Sequence, residues 1–299
     1  MTIPRAQIVQ FRDARGRKLH LNDGPIDLII EAFGDAGEVD AAYTAASRRF
    51  VTILDELCTE LPLLRKPAAS DARLSGVVAK RMLDAVMPYA EEAFITPMAA
   101  VAGAVAEEIL GAMTEAARLA RAYVNDGGDI ALHLGEGEEF TVGMVERPER
   151  PSLFGAAKVR SSDRVRGIAT SGWRGRSFSL GIADSVTVLA ESAAAADAAA
   201  TVIANAVDLP GHPGIVRVPA RELAPDNDLG ERLVTQGVAE LSDADIDLAL
   251  GRGVNTGKSL VRRGLICAAA LRLQGETRVL GLPRPDVDAS TSLRRLAHA

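Results

Sequence analysis

Asp197 and Thr201 stand four residues apart in an Ala-rich run, so a helix there brings both to one face. With a backbone carbonyl from a nearby loop, that carboxylate and hydroxyl make a hard oxygen set. Such a set suits magnesium that also holds a ligand's phosphates. The plainer account is an acid near a helix start, where it complements the dipole, beside an ordinary helical Thr. Asn125-Asp126-Gly127-Gly128-Asp129 carries a second kind of chemistry. Its bare glycine backbone lets a ligand approach and presents N–H groups, although Asp-Gly and Gly-Gly also supply the positive φ of a hairpin turn. Thr170-Ser171-Gly172 ends a strand and leads into Trp173-Arg174-Gly175-Arg176-Ser177. Arg174 and Arg176 are either phosphate clamps on a loop or solvated charges.

Other chemistry finds less support. Gly253-Val254-Asn255-Thr256-Gly257-Lys258-Ser259 has three residues between its glycines, where a phosphate-binding loop needs four, and it interrupts a helical pattern. A helix break is expected there. His20, His133, His212 and His298 are scattered without ligand spacing, and only His212, between Gly211 and Pro213, falls in a loop expected to face a cleft. No Gly-x-Ser-x-Gly elbow supports a hydrolytic triad.

The elements that must position these residues follow from periodicity. Short strands are expected at 8–11, 18–21 and 26–30, separated by turns at Ala14-Arg15-Gly16 and Asn22-Asp23-Gly24-Pro25. Ala41, Ala45, Phe50, Ile53, Leu54 and Leu57 predict a helix that Pro62 ends. A second helix fits 74–87. A third fits 97–121, with Thr96 placed to cap and Pro97 at the first helical position. Strand signals at 122–124, 130–134, 140–145, 156–159 and 167–170 suggest a meander or central sheet. A β-branched strand at 184–190 precedes Ser192, a plausible N-cap, and a helix over 193–207. The last third predicts a loop at 209–214, a strand at 215–218, a helix over 243–262, a hairpin at 265–280 and a tail at 288–299.

Composition narrows the class. Hydrophobic residues make up 47% of the 299 residues and aromatics only 4%, so small aliphatic side chains fill the core. Forty acidic against 34 basic residues give a net charge of −6, which repels a polyphosphate backbone and argues against nucleic acid. Cys58 and Cys267 lie far apart, without a metal-site pattern, and are expected to be buried free thiols. No apolar run at the N-terminus suits a signal peptide, and the longest one, 99–113, is broken by Glu107 and Glu108. Cytoplasmic residence without membrane insertion is the expectation.

Four segments taken in order resemble the signature of the ApbE superfamily: Val124-Asn125-Asp126-Gly127-Gly128-Asp129-Ile130, Ile168-Ala169-Thr170-Ser171-Gly172, Ser185-Val186-Thr187-Val188 and Ala196-Asp197-Ala198-Ala199-Ala200-Thr201. Three more resemble an uncharacterised ApbE-like family within it: Thr96 to Gly103, Gly175 to Asp184, and Asp226-Asn227-Asp228-Leu229-Gly230. The resemblance implies an ApbE-like α+β fold over 1–299, with a mixed or antiparallel sheet core packed by Ala-rich helices. For the superfamily's enzymes it implies magnesium-dependent transfer of FMN from FAD to a Thr or Ser of a flavoprotein. Asp197 and Thr201 align with metal-binding positions. Gly127, Gly128 and the Thr170 loop align with the flavin pocket, and Asn125, Asp129, Ser171, Gly172, Arg174 and Arg176 are its further candidates. The enzymes carry a His and an Asp-Pro-x-Thr-Gly run before the Ser-Val-Thr-Val strand, where this chain has Ser179-Leu180-Gly181-Ile182-Ala183-Asp184. Two functions are therefore carried forward: an FMN transferase acting on a flavoprotein acceptor, and an accessory protein that holds a flavin, pterin or other nucleotide-like ring without transferring it.

Overall fold

The computed structural model describes residues 5–13, 16–145 and 153–281. The chain opens with β1 (Gln7–Asp13), β2 (Gly16–Asp23) and β3 (Ile26–Phe33), an antiparallel meander. Alternation along β2 and β3 sends Leu19, Leu21, Leu28 and Ile30 to one fully buried face. Against that face lies α1 (Ala36–Leu64), whose buried stripe includes Ala42, Ala46, Phe50, Ile53 and Leu57. The stripe is one residue off the expected Ala41 and Ala45. Pro62 does not end this helix, which runs two residues further. A proline so near the end removes one hydrogen bond, and the last turn still closes through Arg65 N–H to the Leu61 carbonyl at 3.0 Å.

Next come α2 (Val77–Val86), short 3-10 turns at Met87–Tyr89 and Pro97–Ala100, and α3 (Val101–Ala116). The helix expected to reach residue 121 stops at 116 because Ala117 turns extended, and Ala120 N–H joins the Phe33 carbonyl to start the next strand. Thr96 does not cap the turn it precedes; its buried hydroxyl bonds the Asp228 carboxylate instead.

The sheet continues through β4 (Arg121–Asp126), β5 (Asp129–Leu134), β8 (Gly167–Ser171), β9 (Ser185–Ala190), β12 (Ala268–Leu273) and β13 (Glu276–Leu280). Its order is β1-β2-β3-β4-β5-β8-β9-β12-β13, nine strands with antiparallel pairings throughout. Two strands expected in this sheet form a separate ribbon, β6 (Glu139–Val145) with β7 (Leu153–Arg160). Phe140 and Val159 of that ribbon pack on Leu132, Ile168 and Leu189, a small second core on the face opposite the helices.

On the helix face, α4 (Ala193–Ala206) begins at Ser192, whose Oγ accepts from Ala195 N–H at 3.2 Å, as the sequence suggested. Its buried alanines let it lie directly on β8 and β9. β10 (Ile215–Pro219), a single turn α5 (Ala220–Leu223) and β11 (Leu233–Val238) make another small ribbon, of which only the first strand was expected. α6 (Asp243–Arg262) runs unbroken through Gly253–Ser259, so the expected helix break is absent. These glycines serve packing: a Cβ on Gly253 would meet Val207 at 2.3 Å, and one on Gly257 would meet Leu280 at 3.0 Å.

Both thiols are free, but they are not buried as expected, since Cys58 on α1 is exposed and Cys267 half-buried. Among the described residues no helix is long and apolar enough to cross a membrane. His298 and the tail at 288–299 lie outside them.

Candidate functional site

The β4–β5 hairpin closes through Gly127 and Gly128, at φ of +63° and +118°, with Asp126 paired to Asp129 across the turn. Asn125 has a part in the turn itself. Its Oδ1 accepts from Gly128 N–H at 2.8 Å and holds the turn from within. The hairpin thereby presents two aspartates at the end of the sheet. Asp129 Oδ1 accepts from Thr170 N–H at 3.2 Å, bridging the point where the β5–β8 ladder runs out. Thr170 is exposed and shares a 2.9 Å hydrogen bond with the buried Thr187 hydroxyl.

Asp197 completes the group from α4. Its carboxylate accepts from Gly103 N–H at 3.1 Å and also from Ala102 N–H, the first donors of α3. Glu107 of α3 returns the favour by accepting from Ala194 N–H at 2.7 Å, so each helix caps the other with a carboxylate. The crossing is close enough that a Cβ on Gly103 would fall 2.3 Å from the Ala193 carbonyl oxygen.

Burial pushes Asp126 up to about 7, with Arg176 opposing the rise. Burial raises Asp129 to about 7 as well, aided by Asp126 and opposed by the Thr170 N–H. Asp197 is held well above the usual carboxylate range, first by burial and then by the charges of Asp129 and Asp126, against which its two helix N–H bonds work. Asp129 and Asp197 have carboxyl groups walled in by protein, while each residue as a whole is half-buried. Asp126 adds to the rise of Asp129, and both add to that of Asp197, so the group attracts a cation or a proton. Among the described residues no group of three or more His, Cys, Asp or Glu has the geometry to ligate a metal by itself. A hard cation here would therefore draw on the Asp197 carboxylate, the Thr201 hydroxyl one turn along α4, backbone carbonyls and oxygens of a ligand.

The remaining candidates divide. Ser171 and Gly172 follow Thr170 at the end of β8, and Gly172 is required because a Cβ would lie 2.4 Å from the Asp184 carbonyl oxygen. Arg176 is exposed, and its Nη1 is 3.2 Å from where a Gly127 Cβ would stand, so it joins the hairpin tip. Arg174 is paired within its own loop region. Its Nε donates to Asp184 Oδ1 at 2.8 Å and its guanidinium stacks 4.4 Å from the Trp173 ring centroid. His212 sits past the opposite end of α4 from Asp197, where its Nδ1 accepts from Gly214 N–H and its Nε2 lies 3.6 Å from Asp245.

Sequence reasoning passed over Asp126 as a site residue, although it stands inside the glycine turn, and missed the N–H groups of Ala102 and Gly103. Two hollows of about 280 and 380 Å³ lie elsewhere, the first beside Glu107, His133 and Arg166, the second beside Leu63, Leu74 and Leu83. The aspartates line neither. The carboxylate cluster is the candidate site, since the charged groups named at the first hollow are already paired or bonded to backbone.

The sequence model of the family described as "AbpE bacteria" matches residues 9–279. The chain is also similar to the UPF0280 proteins of Methanococcoides burtonii (35% identical over 130 residues, 40% of this chain and 49% of that protein) and Archaeoglobus fulgidus (39% over 133 residues, 44% and 51%). The match thus spans about half the length of these curated relatives. Among solved structures it is similar to a variant of the flavin transferase ApbE from Vibrio cholerae (11% identical, TM-score 0.46, 92% of this chain and 96% of that one). A second is the apo flavinyl transferase ApbE from Pseudomonas stutzeri (10% identical, TM-score 0.45, 94% and 96%).

Proposed function

This chain belongs to the AbpE bacteria family, and on that premise we propose that it handles a flavin nucleotide, FAD or FMN, in the recess between the Asn125–Asp129 turn, the end of β8 and α4. The observation that carries the reading is the meeting of Asp126, Asp129 and Asp197 from three elements, at a cost in electrostatic strain that a bound cation relieves. Magnesium bound there would neutralise the charge of a ligand's diphosphate. Asp197 and Thr201 would hold it, the carboxylate supplying charge and the hydroxyl a neutral oxygen. Arg176 stands at the rim to meet an anionic group. Gly127 and Gly128 keep the turn free of side chains so that a flat ring can approach the backbone.

FMN transfer from FAD to a Thr or Ser of a flavoprotein acceptor is the reaction to test first. A non-transferring role, with a flavin, pterin or other nucleotide-like ring held as such, is favoured by the segment 179–184. There Ile182 and Ala183 are wholly buried, Gly181 is pressed on the end of α4, and Asp184 is taken by Arg174 and by Gln274 N–H.

Titration of FAD with and without magnesium tests the binding. Asp197→Ala should abolish the metal-dependent part, and Thr201→Ala, which keeps the charge, should weaken it less. Undiminished, metal-independent binding by Asp197→Ala would remove the site. AMP release with a covalently flavinylated acceptor selects transfer, and binding without turnover selects the accessory role.

A further inference from the structure

The first strand of the sheet is an edge with an unusual surface. All seven residues of β1 are exposed, on both faces, and they include Ile8, Val9 and Phe11 at 45%, 49% and 38% exposure. Its outer side is the end of the nine-strand order, so among the described residues no strand lies beside its outward N–H and C=O groups. Natural edges are blunted by proline, lysine, bulges or short length. Gln-Ile-Val-Gln-Phe-Arg-Asp contains neither proline nor lysine, carries charge only at Arg12 and Asp13, and makes seven pairs with β2 without a register shift.

Nor is the strand held loosely. At its start Arg5 donates to both oxygens of Asp23, at 2.6 and 2.9 Å, and to Asp55 Oδ1 at 2.7 Å. At its end Asp13 accepts from Gly16 N–H at 3.1 Å and from Lys18 Nζ at 2.6 Å. A straight, pinned, partly apolar edge is a template for another strand.

We propose that this edge pairs with the β1 of a second copy, antiparallel about a two-fold axis at Gln10, joining two sheets into one. The register follows from symmetry. An isologous pair requires that residue i face residue j and j face i, and directly opposed residues share a face of the sheet, so i and j have the same parity. Among such registers only the one centred on Gln10 overlaps all seven residues. It sets Val9 opposite Phe11 of the second copy and Phe11 opposite its Val9, a four-residue apolar cluster on the face opposite the helices. Arg12 then faces Ile8, and Asp13 faces Gln7, so no two like charges are opposed.

The contact is one strand pair, which lies at the small end of specific interfaces and gives a concentration-dependent dimer. Sedimentation velocity from about 10 to 500 µM should show a reversible monomer–dimer equilibrium. Val9→Lys with Phe11→Lys opposes lysines at two places and should weaken it at least about tenfold, with the circular dichroism spectrum unchanged. Gln10→Cys, in a chain carrying Cys58→Ser and Cys267→Ser, should give a disulfide-linked dimer on mild oxidation. Opposed strand residues lie about 4.5–5.5 Å apart at Cα, within disulfide range. Ile8→Cys alone should not cross-link, because it faces Arg12. A monomer across the whole range, a dimer indifferent to the lysines, or cross-linking at Ile8 and not at Gln10 would overturn the proposal. So would growth beyond a dimer, which is the mark of β1 adding to the opposite edge at β13.

Discussion

Replacing Asp126 by Asn should stabilise the protein at pH 8 and do so far less, by about a quarter as much, at pH 4.5. Burial moves this carboxyl from 3.8 to about 7, so in the intervening range the folded chain binds a proton that the unfolded chain has released. Stability then falls as pH rises through that window, and above about 7 the whole penalty is present. A displacement of about 3 units corresponds to ~4 kcal/mol at the upper limit, and partial rearrangement around the charge brings the expected gain nearer to ~2 kcal/mol. Asn keeps an oxygen at Oδ1, which accepts only a long 3.5 Å contact from Asp27 N–H, so little bonding is lost. Urea unfolding of both proteins at pH 4.5, 6 and 8 reads the difference, in which titrating groups remote from Asp126 cancel and the relief of Asp129 and Asp197 adds to the gain. Magnesium at pH 8 should stabilise the unmodified protein more than the variant. Greater stability of the unmodified protein at pH 8, or a difference independent of pH, would refute the claim that Asp126 is an electrostatically strained group.

Two further substitutions separate packing from binding. Gly103→Val puts a side chain into the α3–α4 crossing, 2.3 Å from the Ala193 carbonyl oxygen, and should cost about 3 kcal/mol in thermal or chemical unfolding, whatever ligand is present. Gly128→Val meets no atom within 4 Å in the protein, so its cost is that of forcing a branched residue to φ +118°, about 1–3 kcal/mol. Its larger effect should be on FAD affinity by titration calorimetry, and equal affinity would take the turn out of the ligand recess.

Local signals in the sequence were read well. The Ser192 cap, the alanine helix behind it and the two-glycine turn each depend on residues within a few positions, and each stands where expected. Non-local partners were not legible. Nothing in the local spacing says that Asp197 will cap a helix that starts 96 positions earlier at Val101, or that Arg174 will be absorbed by Asp184 and Trp173. Gly253 and Gly257 looked like a helix break because glycine is a poor helix former, yet their missing side chains are what lets α6 settle against Val207 and Leu280. The β6–β7 ribbon had ordinary strand periodicity, and periodicity does not say which sheet a strand joins.

The double role of Asp197 bears on whether the cluster is structural or functional. A cap for α3 needs only a neutral or singly charged acceptor, and Asn or Ser would serve. The fold instead places a carboxylate there and brings two more within electrostatic reach, Asp129 and Asp126, whose charges raise its proton affinity further. Asp129 offsets part of its strain through the Thr170 N–H, whereas Asp126 has the long contact from Asp27 and the charge of the exposed Arg176. A purely structural account therefore explains Asp197, half explains Asp129 and leaves Asp126 as net destabilisation. A site that meets a cation or a protonated ligand explains all three, and for that reason the pH dependence of Asp126→Asn weighs more than the behaviour of either neighbour.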